Sequence, residues 1–174
     1  MRELRREAKT KPGEIWLIEQ DARQLLAACD RAALTSANVV LYQHSLAPLV
    51  ASVLPIGAYA EALSAVTAPV LSQRAINFAR EGWSVVQIVE ARSEPSQTRM
   101  RELLVALDAT GDLPVVVVAK TGGTSSREFD ASLRNVPGIV CDFASGTSVT
   151  LVLGPMPVRY PAPVHAFAAN GLAG

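Results

Sequence analysis

Apolar residues fall along this chain in short, nearly continuous blocks separated by stretches with helical spacing. Glu14–Ile18 (EIWLI), Val39–Tyr42 (VVLY), Trp83–Val89 and Leu113–Ala119 (LPVVVVA) read as strands. Their apolar positions do not alternate with polar ones, which is the pattern of strands covered on both faces. Between the first two, Leu25, Leu26, Cys29, Ala33 and Leu34 recur at helical spacing, with Asp21 placed to cap the helix and Asn38 to end it. Strand, helix and strand in that order open a parallel α/β fold with a right-handed crossover.

The pattern continues with a turn at Gln43-His44-Ser45 and a helix from Ala47 to Leu54, stopped by Pro55 and Gly57. Ala58–Val66 fits either a helix or a strand, and its alanines favour the helix. Val70–Arg80 has an amphipathic helical spacing, with Gly82 suited to its C-terminal cap. A further helix is expected from Gln97 to Ala109, carrying Met100, Leu103, Leu104 and Leu107 on one face and ending at Gly111. Residues 127–135 fit a short helix or an irregular edge, and Gly138–Phe143 and Ser148–Leu153 read as strands. The expected fold is α/β, a mainly parallel sheet flanked by helices, with a Rossmann-like first lobe and a reduced second lobe. Its divisions are a polar arm (1–12), a first lobe (13–95), a second lobe (96–154) and a tail (155–174) with four prolines.

Composition narrows the function classes. The apolar fraction is 49% and the charged fraction 18%, which suits buried parallel strands under Ala/Leu helices. The 16 basic and 16 acidic residues cancel, so nothing draws the whole chain to nucleic acid or an acidic membrane surface. No apolar run reaches the length of a membrane span, and the basic start lacks the apolar region of a signal peptide. A cytoplasmic protein is expected. Cys29 and Cys141 read as small buried residues, and two distant histidines without a Cys/His cluster make no metal site.

Candidate chemistry lies in the loops after strands. In open α/β sheets ligands bind at the carboxyl ends of the strands, usually beside glycines. Here the turn after the first strand is Glu19-Gln20-Asp21, and the loop after the third is Ala91-Arg92-Ser93-Glu94, neither with a glycine. Arg92 and Glu94 can pair with each other as loop charges, or Arg92 can hold a carboxylate. Lys120, Gly122, Gly123 and Thr124 form a second candidate, an anion-binding nest of backbone N–H groups with a charge beside it. The alternative for that segment is a plain surface hairpin. His44, at a strand end, is a candidate substrate contact or a plain loop residue.

Several blocks in register carry a family likeness: Gly13-Glu14-Ile15-Trp16-Leu17-Ile18, Val39-Val40-Leu41-Tyr42, Leu46-Ala47-Pro48, Leu54-Pro55-Ile56-Gly57-Ala58 and Ile76 to Val86. Over about residues 13–95 the chain resembles the tetrapyrrole (porphyrin/corrin) methylases, most closely the uroporphyrin-III C-methyltransferases of siroheme and cobalamin synthesis. The resemblance implies a two-lobed fold, S-adenosylmethionine as cofactor, a tetrapyrrole substrate and a homodimer. It places Glu19, Gln20 and Asp21, and Ala91 to Glu94, at the cofactor loops. Those loops read GxGPGD and GGDP in the family, and only Pro95 of the second remains here. Gln43 stands where the family has an aspartate. Two side chains more at the pocket floor crowd a cofactor of fixed size, because packed cores deform little. The expectation is therefore a degenerate member with no bound cofactor, acting in tetrapyrrole or small-anion binding or in regulation. The alternatives are an active S-adenosylmethionine-dependent C-methyltransferase with remodelled loops and a purely structural partner subunit.

Overall fold

The strand expected at Glu14–Ile18 forms as β1 (Ile15–Gln20) and takes the middle place of a seven-stranded sheet. In the computed structural model, residues 9–63, 71–91, 113–121, 125–141 and 148–157 are described. The remaining strands are β2 (Val39–Gln43), β3 (Tyr59–Leu63), β4 (Val85–Glu90), β5 (Pro114–Thr121), β6 (Ser125–Ser132) and β7 (Ser148–Leu153). Their order across the sheet is β3-β2-β4-β1-β7-β5-β6. The ladders joining β3, β2, β4 and β1 are all parallel. From β1 outwards, β7, β5 and β6 pair antiparallel. Five of the seven strands thus point one way, with β7 and β6 reversed. The fold is α/β, with helices against both faces.

Burial on both sides explains the continuous apolar blocks. Ile15 and Leu17 face one cluster with Val39, Leu41, Val85, Val115, Val117 and Leu151. Trp16 and Ile18 face the other, with Val40, Val86, Ile88, Val118 and Val152. The first face is covered by α3 (Gln73–Arg80) and touched by α4 (Val136–Cys141) through Val136 and Ile139. The second is covered by α1 (Ala28–Ser36), through Ala33 and Leu34, and by α2 (Ala47–Ala51), through Val50.

Local chemistry sets the helix ends. Ser72 caps α3, its hydroxyl accepting from the Ala75 N–H at 3.1 Å. The Ser72 N–H in turn donates to the Gln87 side chain at 2.8 Å, so a buried glutamine in β4 fixes where α3 begins. Gly82 follows the helix with φ +89°, the left-handed conformation expected of a glycine there.

Several element assignments differ from the expected ones. Ala58–Val66 contains a strand, β3, and not a helix. A parallel ladder to β2, from Val39↔Tyr59 to Gln43↔Leu63, outweighs the helical preference of its alanines. Gly138–Phe143 begins as helix: α4 runs from Val136 to Cys141, with Pro137 in its first turn, where a missing N–H costs no hydrogen bond. The first helix starts at Ala28, well after Asp21, and Leu25 is 95% exposed on the preceding turn. Residues 127–135 supply most of the edge strand β6 and a turn. The helix expected over Gln97–Ala109 and most of the proline-rich tail lie outside the described residues.

Candidate functional site

At the carboxyl ends of the parallel strands, Gln20, Gln43 and Glu90 close β1, β2 and β4. The Gln20 side chain is buried, and its amide nitrogen donates to the carbonyls of Asp21 at 2.8 Å and Gln24 at 2.9 Å. Asp21 accepts the Arg23 N–H at 2.8 Å, making a tight turn in which the aspartate holds its own loop. Next door, the Ala91 N–H donates to the Gln20 carbonyl at 3.0 Å. The Glu90 N–H donates to the Gln43 side chain at 2.8 Å, and Ser45 Oγ donates to the Glu90 carboxylate at 3.0 Å. The strand ends are thus tied to one another by their own polar side chains.

Glu19 is half-buried in β1, and Ala91 is exposed just past β4. Arg92, Ser93 and Glu94 lie outside the described residues, as do Gly122, Gly123 and Thr124. His44 is exposed and opens a short 3-10 turn (His44–Leu46) after β2. The sequence placed Lys120 in a loop, but β5 runs through it to Thr121. It alternates with Val116 and Val118, so it turns to the face covered by α1. β4, β1 and β7 separate the strand of His44 from that of Lys120. At about 4.8 Å per strand that is roughly 19 Å across the sheet, so these two candidates belong to different places.

On that face Lys120 meets two residues that the sequence reading passed over. Its Nζ donates to Asp30 Oδ2 at 2.5 Å and to Thr150 Oγ1 at 2.8 Å. Thr150 Oγ1 donates to the other Asp30 oxygen at 2.8 Å. Asp30 and Thr150 are fully buried and Lys120 is 9% exposed. One carboxylate therefore receives an ammonium and a hydroxyl while the hydroxyl also receives the ammonium, a closed three-membered network. Buried charges persist when paired and hydrogen-bonded in this way. The signal for it was present in the sequence. Asp30 shares a helix face with Ala33 and Leu34, and a charge on an apolar face requires a cation from elsewhere in the fold.

Cys29 lies beside the network, its Sγ 3.7 Å from Asp30 Oδ1. Burial first, and the Asp30 carboxylate second, raise its thiol pKa to about 11. Such a thiol stays protonated and unreactive at neutral pH. Among the described residues no group of His, Cys, Asp and Glu has the arrangement of a metal site. No helix among them is long and apolar enough to cross a membrane.

No protein-family model matches the chain, and no curated protein matches it. Among solved structures, it is similar to a cobalamin biosynthetic enzyme, the cobalt precorrin-4 methyltransferase CbiF, with 15% identity over 80% of this chain and 93% of that one. The TM-score of that match is 0.33, so the two backbones follow one another only loosely.

Proposed function

We propose that this chain is a tetrapyrrole-methylase-like protein that binds a tetrapyrrole or another small anionic molecule, or regulates a true methylase, without standard methyl transfer. The observation that carries this reading is the closed turn after β1. Where the resembled family has glycines that let a backbone approach its cofactor, Gln20 here spends its amide on the carbonyls of Asp21 and Gln24. The Ala91 N–H is drawn to the same residue. The Gln20 amide and the Ala91 N–H, engaged in this way, are not free to donate to S-adenosylmethionine. The sequence blocks shared with the family over residues 13–95 support the scaffold half of the reading, and a homodimer is part of it.

Titration calorimetry on the full chain tests this reading. S-adenosylmethionine and its demethylated product should give no binding heat, and a uroporphyrin-type tetrapyrrole should bind. Micromolar affinity for S-adenosylmethionine would replace the reading with an active C-methyltransferase using remodelled loops. Silence towards all three would leave a regulator of a true methylase or a structural partner subunit. Light scattering gives the oligomer: a mass of twice 18.4 kDa is expected.

A further inference from the structure

We propose that Asp30, Lys120 and Thr150 form a latch that holds the start of α1 on the sheet, so that their release lets α1 lift locally while the remaining core stays folded. The inference stands on how little else, among the described residues, holds the first turn of that helix. Ala27 supplies no side-chain cap, and only Asp30, Ala33 and Leu34 of α1 are buried. The two apolar ones lie in its second half. Around the first turn Leu26 and Cys29 are half-covered, Ala28 and Arg31 are exposed, and Leu25 stands in solvent. The only fully buried side chain of that turn is therefore a charge. Its partners come from β5 and β7, far along the chain. The second half of the helix packs through Ala33 and Leu34, whereas its first turn is seated mainly by the buried ion pair.

By contrast α3 has a serine cap and buries Ala75, Ile76 and Ala79 along its length. Loss of the network should disturb α3 far less than α1. An opened α1 would also expose the ammonium of Lys120 and the carboxylate of Asp30 next to the carboxyl end of β1. That would make the opened form chemically distinct from the closed one.

Native-state hydrogen exchange on the full chain reads this directly. In Lys120→Met the α1 amides of Arg31, Ala32 and Ala33 should exchange about a hundredfold faster, because Asp30 is left as an unpaired buried charge. Thr150→Val, which keeps the ion pair, should speed them about tenfold. The α3 amides of Asn77, Phe78 and Ala79 should speed up far less in either variant. Equal acceleration in α1 and α3, or none in α1, would overturn the latch. Should Lys120→Met fail to fold, the same contrast between α1 and α3 in Thr150→Val decides alone.

Discussion

Asp30, Lys120 and Thr150 join α1 to β5 and β7 out of reach of water, whereas Glu61, Tyr59 and Arg74 join β3 to α3 in contact with it. Both clusters pair a carboxylate with a cation and bring in a hydroxyl. In the outer one, Arg74 Nε donates to Glu61 at 2.7 Å and a terminal guanidinium nitrogen to the Tyr59 hydroxyl at 3.0 Å. Tyr59 donates to Glu61 at 2.6 Å. The guanidinium also lies 5.6 Å from the Phe78 ring centre. Yet the Arg74 and Glu61 side chains are 53% and 30% exposed, against 9% and 0% for Lys120 and Asp30. Hydrogen-bond geometry is similar, so the difference lies in what happens when a partner is lost. Water rescues the outer cluster, and the inner one is largely cut off from it.

The largest break in this comparison is expected from Asp30→Asn, which leaves the Lys120 ammonium without its counter-charge. Stranding a buried charge costs about 3–5 kcal/mol, and because α1 can lift to hydrate it, the loss in chemical denaturation should fall near the lower end. A smaller effect reports on the same surroundings through Cys29. With its thiol raised to about 11 from 9.0, alkylation at pH 8 should run about a hundredfold slower than for an unshifted thiol. Asp30→Asn should bring part of that rate back, since burial, the larger cause, remains. The sign of the linkage is fixed too. The unfolded thiol ionises first, so this group's contribution to stability is present below pH 9.0 and fades as pH rises towards about 11. The smallest effect is expected from Arg74→Ala, which should leave the melting temperature unchanged within error, because exposed ion pairs are weak and screened. A loss comparable to that of Asp30→Asn would mean that exposure does not separate the two clusters.

The half of the sheet built from parallel ladders was largely legible in the sequence. β1, β2 and β4 are continuous apolar blocks, and a strand buried on both faces has little choice of conformation. β3 was not, because Tyr59-Ala60-Glu61-Ala62-Leu63 is an exposed edge whose strand character comes from the β2 ladder and the tether to Arg74. In the antiparallel part, the sequence marks β7 with its observed ends, but Gly138–Phe143 has the pattern of a strand where the end of α4 lies. A run as short as Gly-Ile-Val-Cys-Asp-Phe fits either period, and only the contacts of Val136 and Ile139 with the core settle it. For the candidate site, the glycine-free turn after β1 was visible, but the use of Gln20 to close it was not. Lys120 was assigned to a loop by its neighbouring glycines. Its partners lie 90 and 30 residues away in the chain, a separation no local pattern carries.

Gly154 follows β7 with φ +111°, and a methyl group there would come within 2.8 Å of the Gly13 carbonyl oxygen. The Met156 N–H donates to that same oxygen at 2.8 Å. The described segments that lead into β1 and out of β7 thus lie side by side. A side chain at Gly154 would force those two segments apart. The exposed segment around Ile56 and Gly57 is the opposite case, a glycine at φ +92° with open space around it, and an insertion is tolerated better there.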